Sequence, residues 1–253
     1  MAVLIEAALP QRWQDLEAGV ARILADCGYD VEMGKNVKLA RGDANIDVWA
    51  DDHSLPPNVI AVECKHWKDS VPKTVVHSFR TVVEDSGANL GLIVSGAGFE
   101  SGAVEAAAYS NVRLLTWEQF QEMFTERWYK RFMLPTLARE TDALNEYTEY
   151  LNSRILRKHD ALAPDRQERH LALRERHLAL ASLAFKISAQ LYDLEDAHVP
   201  SLPLRRSDAV PRLGESIPAD VLDASALRPL INALIEHARV AIAEFDEVFG
   251  ERA

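Results

Sequence analysis

Apolar positions recur at three- and four-residue intervals through Trp13, Leu16, Val20, Ile23, Leu24 and Cys27, and Gly28 follows as a stop. That spacing predicts an amphipathic helix over 11–28. Strands are expected around 30–40, 44–51 and 58–65, the last two separated by the polar, Pro-containing turn "DDHSLPPN". Val75, Val76, Phe79, Val82 and Val83 mark a second helix ending near Gly87. "NLGLIVSG" (89–96) reads as a short buried strand, 100–110 as an Ala-rich helix and "VRLL" (112–115) as a last strand. This order predicts an α/β core in which a mixed sheet is flanked by helices.

From about Trp117 no strand pattern remains. Helices are expected over 117–133, 136–158, 165–197 and 222–249, with Pro135 and Pro164 as breaks and the Pro-containing stretch 199–219 as a loop. "RHLALRE" followed by "RHLALAS" repeats at seven residues, and Leu173, Leu180, Ile187 and Leu194 continue the spacing, which suits a helix laid along another helix. Leu171, Leu173, Leu178, Leu180 and Leu183 nearly surround this helix, which predicts burial in a bundle or at a dimer or partner interface. The expected organisation is an α/β domain over 1–125 and an all-α helical region over 126–253 for assembly, regulation or partner binding.

Composition adds limits. The chain has 253 residues, 48% of them apolar, and no apolar run approaches the ~20 residues that span a bilayer. "MAVLIEAALP" has neither a basic start nor a clear cleavage site, and Cys27 and Cys64 sit in apolar patterns, so a cytoplasmic protein with reduced thiols is expected. The net charge is −11, with 10 Lys and Arg against 18 Asp and Glu through Thr125 and 18 against 21 after it. Such a chain has no general attraction to nucleic acid or anionic membrane, so a nucleic-acid site would have to be a local patch or be completed by a partner.

Charges inside the apolar run "VIAVECKHW" (59–67) point to chemistry. Alternation places Glu63 and Lys65 on one face of their strand. In the preceding strand, "ANIDVWA", Ile46, Val48 and Ala50 form the apolar set and Asn45 and Asp47 share the opposite face. Antiparallel pairing brings Asp47 beside Glu63 and Lys65. An E-x-K pair alone is more often a solvent-facing ion pair of little energetic value. Glu17, however, lies within the apolar stripe of the first helix, where an ionised carboxylate is costly unless paired or bound to metal. Asp47 and Glu63 are the expected ligands of Mg²⁺, with Mn²⁺ as an alternative. Such a cation activates water and polarises a phosphodiester, Lys65 supports the charge that develops on the phosphoryl group, and Glu17 completes the shell directly or through water.

These residues resemble the PD-(D/E)XK nuclease signature: "GDANIDVWAD…VIAVECKHW" has an Asp in one strand and Glu-x-Lys in the next. The flanks are similar to the Mrr-type restriction endonuclease domain, from "DLEAGVARILADCGYDVE" through "SGAGFESGAVEAA", so that about residues 12–120 are covered. The resemblance implies a restriction-endonuclease-like fold and Mg²⁺-dependent hydrolysis of DNA, in defence against foreign or modified DNA. It makes Asp47 and Glu63 the metal ligands, Lys65 the catalytic lysine and Glu17 the acidic residue of the first helix. Many Mrr-type proteins have Gln where this chain has Glu63. Their Gly-rich stretch before the catalytic Asp is here "RGDANID", which leaves Asp43 as an alternative ligand. The acidic balance implies activation through a homo-oligomer or a partner protein bound by the C-terminal helices. Two other readings stay open: a catalytically weak nuclease-fold subunit of a defence complex, and a ribonuclease.

His66, Trp67, Lys68 and Lys73, with His77 nearby, are candidates for phosphate contact or base stacking, against the plain alternative of a solvated loop. Gly96 and Gly98 lack the Lys-Ser/Thr of a nucleotide loop and predict a tight strand-to-helix turn. His170 and His177 stand ~10 Å apart along a helix, too far to share a metal, and are expected at its surface or seam. Arg166, Arg169, Arg174 and Arg176 have acidic neighbours, which favours solvated ion pairs over a nucleic-acid stripe.

Overall fold

The computed structural model describes residues 3–40, 42–53, 56–206 and 216–250. They fall into two compact units, Ala8–Trp128 and the described parts of Met1–Ala7 with Tyr129–Ala253.

The first unit runs α1 (Trp13–Asp26), β1 (Asp30–Leu39), β2 (Gly42–Asp52), β3 (Asn58–Lys65), α2 (Lys73–Ser86), β4 (Leu90–Ser95), α3 (Ser101–Ala107), β5 (Val112–Thr116) and α4 (Trp117–Trp128). The strands lie in sequence order in one sheet. β1, β2 and β3 pair antiparallel, whereas β3, β4 and β5 pair parallel. This is the expected mixed sheet with flanking helices.

Helices on both faces explain why β3 and β4 are apolar without alternation. Ala61, Val76, Phe79, Val83, Ile93, Ala103 and Val112 form a core under α2 and α3. Gly91 makes that contact close: a Cβ there would stand 2.6 Å from Val83 Cγ2. On the other side α1 buries Leu16, Val20, Ile23 and Leu24, each stabilising by about 1.5–3 kcal/mol. α4 joins α1 through Cys27 Sγ, 3.9 Å from the Phe124 carbonyl, and Trp128 Nε1, which donates to Asp26 at 2.9 Å. Cys27 and Cys64 are buried free thiols. Trp13 departs from expectation. It is 56% exposed, whereas Leu16, three residues on, is buried.

The second unit contains α5 (Leu134–Thr148), α6 (Ser153–Asp160), α7 (Pro164–Ser188), α8 (Ala219–Leu222) and α9 (Leu227–Phe249). Pro135 does not break the chain's helical path. It lies inside α5, and the turns before it, Tyr129–Met133, widen to the π form, which accommodates the missing proline N–H. The helix expected over 136–158 is two helices. Asn152 starts the second by accepting from the N–H groups of Arg154 and Ile155 at 3.1 and 3.3 Å. α7 stops short of 197 and closes in a 3₁₀ turn, Ala189–Tyr192. α9 begins at Leu227 rather than 222. The N–H groups of Leu227 and Arg228 there donate to the carbonyls of Leu4 and Ile5 at 2.9 and 2.8 Å, so the first residues join this unit. In the expected loop over 199–219, residues 204–206 form a 3₁₀ turn and α8 starts at Ala219; residues 207–215, with Pro211, lie outside the described residues.

Leu173, Leu180 and Ile187 are buried as the seven-residue spacing predicts, but Leu194 is exposed, and so is Leu171, so α7 is not surrounded. His170 is fully buried against Phe245 and Phe249, and its Nδ1 lies 2.9 Å from that of His159. His177 and Arg176 meet Glu244, and Arg169 meets Glu247, so these arginines pair with α9 rather than with neighbours on α7. Arg174 covers the Tyr150 ring. Among the described residues no helix is long and apolar enough to cross a membrane.

Candidate functional site

The site starts from a gap in β2. The β1–β2 ladder pairs Met33 with Val48 and Lys35 with Ile46, and skips the intervening Gly34 and Asp47. Gly34 has φ +63°, a left-handed conformation that strains other residues. The β2–β3 ladder ends at Val48 opposite Val62. Asp47 is thus released on both sides, and its carboxylate turns to β3, where Oδ2 accepts the Cys64 N–H at 2.7 Å. Asn45 ties the other side, donating to the Gly34 carbonyl at 3.0 Å and to Asn36 Oδ1 at 3.1 Å.

This gap also breaks the expected alternation. Ile46 packs in the Ala61, Val76 and Phe79 core, against which Trp49 lies as well. It therefore does not share one apolar face with Val48 and Ala50. The strand changes face where its ladder opens.

Glu63 and Lys65 project from the end of β3 into a groove of about 410 Å³, whose walls include Asn45, Trp67, Thr74, Ser78 and Phe79. The Lys65 ammonium donates to Glu63 Oε1 and lies 5.5 Å from the centre of the Trp67 ring. Glu17, one turn after Trp13 on α1, carries the third carboxylate.

Electrostatics link these groups. Partial burial raises the Glu17 pKa, the carboxylates of Asp47 and Glu63 raise it further, and Lys65 opposes them. Burial raises the Glu63 pKa and Asp47 adds to this, against the hydrogen bond and charge of Lys65. The buried Cys64 thiol is held well above its usual pKa, first by burial and then by Asp47, Glu17 and Glu63, so it stays protonated and packs as a core group. Asp43, the alternative ligand, is exposed and pairs across the ladder with Lys38.

The carboxylates of Glu17, Asp47 and Glu63, which act on one another electrostatically, are hard oxygen donors of the kind that suits Mg²⁺ or Mn²⁺. Their mutual repulsion is the electrostatic condition that a divalent cation relieves. The donor chemistry therefore fits. The side chains are not gathered around a point, though: among the described residues no three His, Cys, Asp or Glu groups stand ready to hold a metal. Glu63 faces Lys65, and one Asp47 oxygen is committed to Cys64.

The flanking candidates separate. His66 turns back, its Nε2 3.1 Å from the Pro10 carbonyl. Trp67 lines the groove and is 46% exposed. Lys68, Lys73 and His77 are exposed outside the groove wall. The Gly96–Gly98 segment is a tight turn, with Ser95 Oγ donating to the Gly98 carbonyl at 3.1 Å. Sequence reasoning missed Gly34, and it put Asn45 on the face of Asp47 without giving it a role. A lone glycine inside "DVEMGKNVKL" is the available signal, since glycine within a strand often marks a bulge or kink.

Residues 10–124 match the Mrr_cat family model, described as restriction endonuclease. The match spans the unit that holds the mixed sheet, and no family match covers the helices after it. Among solved structures the chain is similar to a crystal structure of a protein of unknown function, AF1548. Identity there is 14% over 92% of this chain and 96% of that one, at TM-score 0.37. It is also similar to the MspJI restriction endonuclease in complex with a 27-mer oligonucleotide, with 20% identity over 46% of this chain and 28% of that one, at TM-score 0.30. At those scores neither likeness carries weight for fold or function. No curated protein matches the chain.

Proposed function

We propose that this protein is a Mg²⁺-dependent endonuclease that hydrolyses DNA phosphodiester bonds in defence against foreign DNA. The catalytic region is 1–125, and 126–253 serves assembly, regulation or partner binding. The observation that carries the reading is the opening in β2, where Asp47 turns its carboxylate onto the Cys64 N–H beside the paired Glu63 and Lys65. It is supported by the family match over the same segment.

In this reading Asp47 and Glu63 hold the cation and Glu17 completes its surroundings. The cation, when bound, supplies Lewis-acid polarisation of the phosphoryl oxygen and a lowered pKa for water. The Asp47 oxygen not bound to Cys64 is the one available to it. Lys65 leaves Glu63 and donates to the phosphoryl group as negative charge grows there. The acidic balance of the chain makes cleavage by the isolated protein weak, and oligomerisation or a partner strengthens it. Wild-type protein should cleave DNA with Mg²⁺ or Mn²⁺, and Asp47→Ala and Lys65→Ala should reduce the rate at least a hundredfold, on the order of other lost charge-stabilising groups. Equal cleavage by wild type and both variants would refute the assignment. RNA of the same sequence, run alongside, decides between deoxyribonuclease and ribonuclease.

The closed Lys65–Glu63 pair favours one second reading, a catalytically weak nuclease-fold subunit within a larger complex. Such a subunit would show no thermal stabilisation by Mg²⁺ or Mn²⁺.

A further inference from the structure

Two exposed tryptophans accompany the acidic residues, one on α1 with Glu17 and one just after β3 with Glu63 and Lys65, and neither has a role in the proposed hydrolysis. Trp13 is 56% exposed and lies one helical turn before Glu17, so both project from the same face of α1. Trp67 is 46% exposed and lines the groove with Glu63 and Lys65. The bond between His66 and the Pro10 carbonyl, 3.1 Å, fixes the segment before α1 beside the segment after β3. Leu9, next to Pro10, is exposed as well.

Exposed indoles at this place have a specific chemical use. Through Thr125 the chain carries 10 basic against 18 acidic residues, and the lysine nearest the reacting position is paired with Glu63. Phosphate neutralisation therefore contributes little to holding a strand here. Stacking of bases on aromatic rings does not depend on that charge and tolerates any sequence. It does require open base faces. In a duplex those faces are covered by their neighbours, and exposing one costs unpairing and unstacking. A strand with unpaired bases presents them at no such cost.

We propose that Trp13 and Trp67 form a stacking platform for unpaired nucleobases flanking the scissile phosphate, so that the preferred substrate is single-stranded or locally opened nucleic acid. This rests on reading the site as a nuclease. Trp67 positions the strand from the groove side, next to Lys65, and Trp13 positions it from the α1 side, next to Glu17.

The test is binding of the full chain, without divalent cation, to a short single-stranded DNA, its duplex, an abasic strand of equal length and an RNA of the same sequence, read by quenching of tryptophan fluorescence. The single strand is expected to bind about tenfold more tightly than the duplex or the abasic strand. Trp13→Ala should remove that advantage, Trp13→Phe should keep most of it, and Trp13→Leu, apolar but not aromatic, should not. An unchanged melting temperature for the Trp13 variants shows that they remain folded, as their exposure leads one to expect. Duplex and abasic strands binding as tightly as the single strand would overturn the proposal, as would Trp13→Leu matching wild type. It would also be overturned if Trp13→Ala abolished self-association and left oligonucleotide binding untouched, since this surface would then be a contact between copies. The DNA and RNA arms show which strand the platform takes. Metal-dependent cleavage by wild type and its loss in Lys65→Ala report on the nuclease reading separately.

Discussion

Asp47 Oδ2 accepts the backbone N–H of Cys64 at 2.7 Å, where a backbone carbonyl of β2 would ordinarily stand. A side chain replaces a ladder bond, and the replacement fixes a carboxylate at the end of the sheet beside Glu63 and Lys65. Structure and chemistry therefore meet in one residue, and substitutions can pull them apart. Asp47→Asn keeps an acceptor for Cys64 and should retain wild-type stability in urea denaturation while losing metal-dependent cleavage. Asp47→Ala leaves the N–H without a partner and should cost about 1–3 kcal/mol in addition.

Gly34 holds the other side of the opening with φ +63°. No atom lies within 4 Å of a Cβ added there, so Gly34→Ala meets backbone strain and no clash. It should destabilise the protein by about 1–2 kcal/mol. Cleavage should fall more than this loss of folded protein explains, because relaxing the strand re-pairs Asp47. Comparing specific activity with the folded fraction at one temperature measures the difference.

Glu17 supplies a pH signature. Burial and the neighbouring carboxylates raise its pKa in the folded protein, so the native state keeps a proton that the unfolded chain has already lost. Stability is then expected to decline as pH rises from the ordinary glutamate value, about 4.3, through the raised native value. Glu17→Gln should flatten this part of the stability profile and raise the melting temperature at neutral pH in the absence of metal. Thermal melts across the acidic and neutral range check both effects.

In the helical unit Tyr147 stacks on Phe245 and Phe249, with ring centres 5.0 and 5.4 Å apart, and its hydroxyl donates to Asp246 at 2.6 Å. His170 packs edge-on against the same two phenylalanines. Phe245→Ala should therefore cost about 3–5 kcal/mol, measured as a loss of helical signal at lower denaturant.

Regular pattern was the legible part of this chain. The α1 stripe, the run 59–65, the stop at Gly87 and the spacing of Leu173, Leu180 and Ile187 each reflect a repeated geometry that burial enforces. What departed from pattern was set by single residues. Alternation predicts faces only while a ladder is continuous, so Ile46 was misplaced by the opening at Gly34 and Asp47. Periodicity put Trp13 in the stripe, but spacing does not contain how far along a helix its packed neighbours reach, and here burial begins at Leu16. The division at Asn152 was present as an N-cap residue followed by Ser153, a local signal weaker than the apolar spacing around it. Among the candidate site residues, the nearness of Asp47 to Glu63 was legible from the order and pairing of the strands. The closure of Lys65 on Glu63 was not, because side-chain pairing follows from geometry that spacing does not contain.

The most direct measurement is calorimetric titration of the wild-type chain and four variants with Mn²⁺. Wild type should bind, Asp47→Asn and Glu63→Gln should lose binding, and Glu17→Gln should weaken it. Lys65→Met should bind at least as tightly as wild type, since its ammonium no longer competes for Glu63, while cleaving nothing. Absence of binding by wild type, or binding indifferent to Asp47 and Glu63, would contradict the account.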